Sequence, residues 1–115
     1  MGRRQVSMMP VASDAARLLG TQVRTARQRK RWSAAELAER AGVSQRTVLA
    51  IEAGQPTPSI GNVLNVAALA GVELFEKSDP VELALARRRA EEHLALLPAR
   101  VHKLRDEDRD GDYDF

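Results

Sequence analysis

The sequence contains no cysteine, which excludes a disulfide framework, a thiolate zinc site and a cysteine nucleophile. It has no apolar run near the ~20 residues that a membrane span needs. The opening MGRRQVSMMP carries two arginines without an apolar stretch behind them, so a signal peptide is not expected. Val6 stands where a myristoylation signal has Ser or Thr. A cytoplasmic protein is therefore expected. Aromatic residues are scarce, the whole set being Trp32, Phe75, Tyr113 and Phe115. Also missing are a Gly-rich phosphate loop, a Ser/His/Asp grouping and an acid pair at catalytic spacing, so an enzyme reading has no support. At 115 residues, one domain with one modest core is the default.

Net charge is small as well: 18 Lys and Arg stand against 16 Asp and Glu. The sequence pI of about 9.5 overstates the basic character, because with no Cys and one Tyr almost nothing titrates between His and Lys. Placement tells more than the total. Residues 1–32 hold eight basic side chains and one acidic, residues 33–75 two and four, and residues 76–115 eight and eleven. A stretch of net +7 beside a near-neutral middle is an electrostatic footprint for a polyanion or an anionic lipid.

What is abundant is Ala, Leu, Val, Glu and Arg, a helix-forming composition. The spacing of Ala15, Leu19, Val23 and Ala26 predicts a first helix from Asp14 as N-cap to Arg31. Ser33-Ala-Ala-Glu36 reads as a capping box opening a second helix to Ala41, and Gly42 stops it. Ser44 caps a third through Val48 and Ile51 to Ala53, ended by Gly54. Gln55-Pro-Thr-Pro58 reads as a stiff loop, with Pro58 suited to a first helical position. A fourth helix carries Ile60, Val63, Leu64, Ala67 and Ala68 to Ala70, closed by Gly71. Val72–Phe75 alternates as a short strand would. Asp79-Pro80-Val-Glu82 opens a fifth helix to about Leu97. The fold class expected is all-α: five helices, with a short strand after the fourth and a C-terminal helical extension. The expected divisions are a flexible arm over 1–13, a four-helix domain over 14–72, a strand and helix for dimer or partner contacts over 73–105, and an acidic disordered tail over 106–115.

Leu37, Ala38, Ala41, Gly42, Val43, Val48 and Ile51 act as one unit. Ala38 is small where a second helix crosses, Gly42 turns the chain, Val43 plugs the corner, and Leu37, Val48 and Ile51 pack between the helices. That is the spacing of a helix-turn-helix, so residues 14–72 of the five-helix all-α fold are expected to form a helix-turn-helix DNA-binding domain, with the short strand after it dimerising. Residues 19–72 resemble the Cro/repressor-type (xenobiotic-response-element) helix-turn-helix family in LGTQVR over 19–24, ELAERAGVS over 36–44, IEAG over 51–54 and the following Pro58-Ser59. The resemblance implies that Arg27 pairs with Glu52, tying the first helix to the recognition helix. It also implies a departure. The family often has a phosphate-touching Gln directly after the Ser that caps the second helix, and this chain has Ala34 there, leaving backbone N–H groups to hold the phosphate.

With the third helix in the major groove, Gln45, Arg46 and Thr47 at its start reach base edges. Arg46 suits guanine and Gln45 adenine, each worth ~1–3 kcal/mol of discrimination; Arg46 also reads as a phosphate contact or a solvated charge. Ala50 is placed to touch a thymine methyl. Leu49 has two readings, the same contact or packing against the fourth helix or a partner chain. Arg24, Arg31, Ser33, Ala34, Thr57, Ser59 and Asn62 are the phosphate candidates, which position without reading sequence.

The expected partners are double-stranded DNA and a second copy of the chain, because one recognition helix reads too few bases. Val72, Leu74 and Phe75 are the candidate dimer contacts. A short strand after the domain resembles HipB-like antitoxins, which would imply a toxin kinase as partner. A free-standing repressor of phage or restriction-modification type, and an adaptor that has lost DNA binding, stand as alternatives. No cofactor is expected. Asp106, Asp108, Asp110 and Gly111 mimic half of a calcium loop without its closing Glu. His93 and His102 have no third ligand, and the run Arg87-Arg88-Arg89 reads as a solvated face.

Overall fold

The computed structural model describes residues 7–99, which form five α-helices: α1 Pro10–Arg29, α2 Ala34–Ala41, α3 Gln45–Glu52, α4 Ile60–Ala70 and α5 Pro80–Leu96. The acidic run 106–115 and His102 lie outside the described residues. The described residues divide into two compact units, one up to Ser78 and one from Asp79.

In the first unit α2 packs on α3 and α4, and α1 packs on α3 and α4. Val23 of α1, Leu37 of α2, Val48 of α3 and Val66 of α4 are fully buried at the centre. Each such side chain contributes about 1.5–3 kcal/mol of transfer free energy. Ala34, Ala38, Ile51, Ala67 and Ala70 complete the core, and Trp32, Val43 and Val63 pack against its edge. The small side chain of Ala38 is buried in the core that α3 also fills, as the helix-turn-helix spacing requires.

Three boundaries and one face differ from expectation. α1 ends at Arg29 in place of Arg31. α1 begins four residues before Asp14, with Pro10 in its first turn and Met9 as a cap that makes no side-chain bond. Proline's fixed φ suits the first helical position, and that outweighs a capping side chain further along. α4 begins after Ser59, whose hydroxyl accepts from the Asn62 N–H at 3.2 Å; Pro58 therefore precedes the cap. The buried face of α4 is Val63, Val66, Ala67 and Ala70, while Ile60, Leu64 and Ala68 are exposed. Nearly every residue of α4 is apolar, so periodicity alone does not single out the face.

The larger correction concerns Val72–Phe75. No strand occurs among the described residues. Leu74–Glu76 forms a single tight turn in which Phe75 and Glu76 have φ of 54° and 61°. Two consecutive left-handed residues end any extended run. Val72 and Leu74 pack against the core, so of the three candidate dimer contacts Phe75 alone is well exposed, at 80%. The feature that carried the likeness to HipB-like antitoxins is thus a turn.

The second unit holds α5. Asp79 Oδ1 accepts from the Val81 and Glu82 N–H groups at 2.6 and 3.0 Å, and Pro80 occupies the first turn. Arg87 and Glu91 pair at 2.8 Å with both side chains exposed, a contact worth about 0.3–0.5 kcal/mol.

Candidate nucleic-acid interface

The corner between α2 and α3 is built from local chemistry. Ser33 Oγ accepts from the Glu36 N–H at 3.0 Å, and Glu36 Oε1 accepts from the Ser33 N–H at 2.7 Å, which completes the capping box. Nine residues after Ser33, Gly42 takes φ of 72°. Its N–H donates to Glu39 O, and the Val43 N–H reaches back to Ala38 O at 3.0 Å, the paired bonds of a Schellman closure. After Val43, Ser44 starts α3, its Oγ accepting from the Thr47 N–H at 3.1 Å and lying 3.0 Å from Thr47 Oγ1. The turn is therefore three residues long.

α3 divides cleanly by face. Val48 and Ile51 point into the core, while Gln45, Arg46 and Leu49 are exposed and Thr47 and Ala50 half-buried. Its first turn contains no acidic residue, so the positive end of the helix dipole is uncompensated there and favours an anion. Its other end is clamped. Arg27 Nε donates to Glu52 Oε2 at 2.7 Å, Nη2 to Glu52 Oε1 at 2.9 Å, and Nη1 to the carbonyl of Trp32 at 3.0 Å. The two side chains are 11% and 6% exposed. A carboxylate at a helix C-terminus is unfavourable to the dipole, and the bidentate guanidinium neutralises it. The hydrogen bond to Glu52 raises the pKa of Arg27 above its ordinary value against the opposing effect of burial, so the guanidinium keeps its charge in the folded protein. Beside it, Gly20 of α1 lies so close to α3 that a Cβ there would collide with the carbonyl oxygens of Ile51 and Glu52.

These supports leave an open groove of about 770 Å³. One wall is α3, through Gln45, Arg46, Thr47, Leu49 and Ala50; the other is the loop and the start of α4, through Gln55, Thr57, Pro58, Ser59 and Asn62. All four residues expected to read bases and three of those expected to hold phosphate thus share one surface. Among the described residues Arg46 is its only charged lining residue, and no carboxylate lines it. A second cleft, of about 460 Å³ between α1 and residues 71–76, is lined by Arg29 but also by Glu73 and Glu76, which repel phosphate.

Arg24, Arg31, Ser33 and Ala34 do not line the groove. Arg24 and Arg31 are exposed on α1 and at its end. Ser33 Oγ accepts within the capping box, which leaves its O–H to donate outward, and the Ala34 side chain is buried at 8% exposure, which leaves its backbone N–H at the start of α2 as its only polar offering toward a ligand. Gln55 is a groove residue that no sequence pattern singled out. It follows Gly54, and its N–H closes α3 onto Ala50 O at 3.0 Å, so the readable signal was the glycine stop that turns the next residue back over the helix.

Among the described residues no group of three or more His, Cys, Asp or Glu side chains could hold a metal ion, and no helix is long and apolar enough to cross a membrane. Residues 23–77 match the model of the helix-turn-helix family. No curated protein and no solved structure matches the chain.

Proposed function

Since residues 23–77 belong to the helix-turn-helix family, a family of DNA-binding transcription regulators, we propose that this protein is a sequence-specific repressor that reads an inverted-repeat operator as a homodimer. The observation that carries the proposal is the groove itself: a capped helix start, one guanidinium and a polar opposite wall, with no carboxylate from the described residues lining it. Gln45, Arg46, Thr47 and Ala50 read base edges in the major groove. Thr57, Ser59 and Asn62 hold the phosphates on one side, and Arg24, Arg31, Ser33 and the Ala34 N–H hold those on the other. Two-fold pairing sets two copies of α3 about 34 Å apart, one turn of the duplex.

The test is titration of the full chain against random duplex DNA at two salt concentrations. Log affinity falls with log salt at a slope of about −0.9 for each phosphate neutralised. Absence of binding at low salt would sink the proposal. Against an operator selected from a randomised pool, Arg46→Ala loses the preference for that operator by about 1–3 kcal/mol and keeps most of its nonspecific binding. If both fall equally, Arg46 is a phosphate contact. Sedimentation with one and two half-sites tests the dimer: a 1:1 complex on a full inverted repeat rules it out.

A further inference from the structure

Leu49 is the large apolar side chain of α3 that the fold does not use. The core takes Val48 and Ile51 from this helix, whereas Leu49 is 48% exposed and lines the groove together with Arg46. Among the described residues no other Leu, Ile, Val, Met or aromatic side chain lines it. Positions 46 and 49 lie three apart, so both side chains stand on one helix face, separated by about 4.5 Å of helix rise. That is close to the ~3.4 Å spacing of successive base pairs. The polar edges of bases offer Leu49 nothing. The one apolar group displayed in the major groove is the methyl at C5 of a pyrimidine.

We propose that Leu49 is a specificity-determining residue that packs on the C5 methyl of a pyrimidine adjacent to the guanine held by Arg46, so that the protein responds to the presence of that methyl group itself. This rests on the reading of α3 as the base-reading helix. The same chemistry comes from two sources, thymine and 5-methylcytosine. Removing the methyl uncovers one group's worth of apolar surface, and affinity falls about fourfold for each half-site.

The experiment uses the full-length protein and a duplex selected from a randomised pool, with each thymine replaced in turn by deoxyuridine, which deletes only the methyl. The expected result is one position per half-site, beside the Arg46-dependent guanine, where the replacement weakens binding about fourfold. At that position cytosine binds like deoxyuridine wherever the methyl alone is read, and 5-methylcytosine recovers the loss. In Leu49→Ala, whose fold is checked by its melting temperature, the thymine-to-deoxyuridine ratio at that position falls to one. A native protein that binds the selected duplex but ignores every methyl deletion overturns the inference and leaves the repressor reading intact. A ratio unchanged in Leu49→Ala also overturns it and moves the contact to Ala50. A native protein that binds no duplex overturns both.

Discussion

The corner after α1 and the corner after α2 are closed by the same backbone bonds and by different residues. After α2, Gly42 takes the left-handed position, and the Val43 N–H bonds to Ala38 O. After α1, the left-handed residue is Arg31 with φ of 63°, and the Trp32 N–H bonds to Arg27 O at 3.2 Å. α3 and α4 follow the α2 pattern, with Gly54 and Gly71 in that place. A non-glycine residue there costs about 1–2 kcal/mol, so a charge at position 31 is retained against local stability. The first corner is supported from elsewhere. Arg27 holds the Trp32 carbonyl, and the Trp32 ring lies under Lys30 Nζ at 5.2 Å and the Arg40 guanidinium at 4.4 Å. Side chains fix one corner; backbone freedom fixes the other.

Four substitutions break or sharpen that contrast. The largest effect belongs to Glu52→Ala, which strands the Arg27 guanidinium that also ties down the first corner. Unfolding free energy falls by about 3–5 kcal/mol in urea melts, and a loss under 1 kcal/mol would mean that the clamp supports neither helix. Gly42→Ala comes next. A Cβ at Gly42 meets no atom within 4 Å, so the measured loss of about 1–2 kcal/mol is backbone strain alone. Ser33→Ala removes a capping oxygen common to the start of α2 and the first corner, lowering stability by about 1 kcal/mol. Arg31→Gly has the smallest effect and the opposite sign. Relief of strain, partly offset by the freer unfolded chain, raises stability by about 0.5 kcal/mol. DNA affinity drops, with a salt slope shallower by about 0.9. A stabilised variant with unchanged affinity would remove Arg31 from the phosphate contacts.

The same contrast separates what was legible in the sequence from what was not. The second corner could be read because its parts are adjacent: Ser33 and Glu36 at capping distance, Gly42 one helix later, Ser44 opening the next. The first corner has no glycine, so the expected helix ran on to Arg31. Its true closure depends on Arg27, Trp32 and Glu52, which meet only after the chain has folded. Gly20 stood in the sequence with no indication that α3 passes against it. The residues proposed to read bases were placed by counting from the Ser44 cap, whereas Gln55 reaches the groove through a loop whose path no periodicity records. The segment after Gly71 misled for another reason. Alternation signals a strand when a partner strand exists, and within one chain Val72 and Leu74 find the core instead.

The close approach at Gly20 and the bidentate ion pair act on the same end of α3. An eight-residue helix is about 12 Å long, so a rotation of ~10° about its anchored end would swing Gln45 and Arg46 through roughly 2 Å, beyond the tolerance of a hydrogen bond. α1 therefore serves as a gauge block. On the proposed reading, the residues that set the position of α3 lie at the far end of the helix from Gln45 and Arg46, and a variant at Gly20 is expected to blur the operator preference while every groove side chain stays in place.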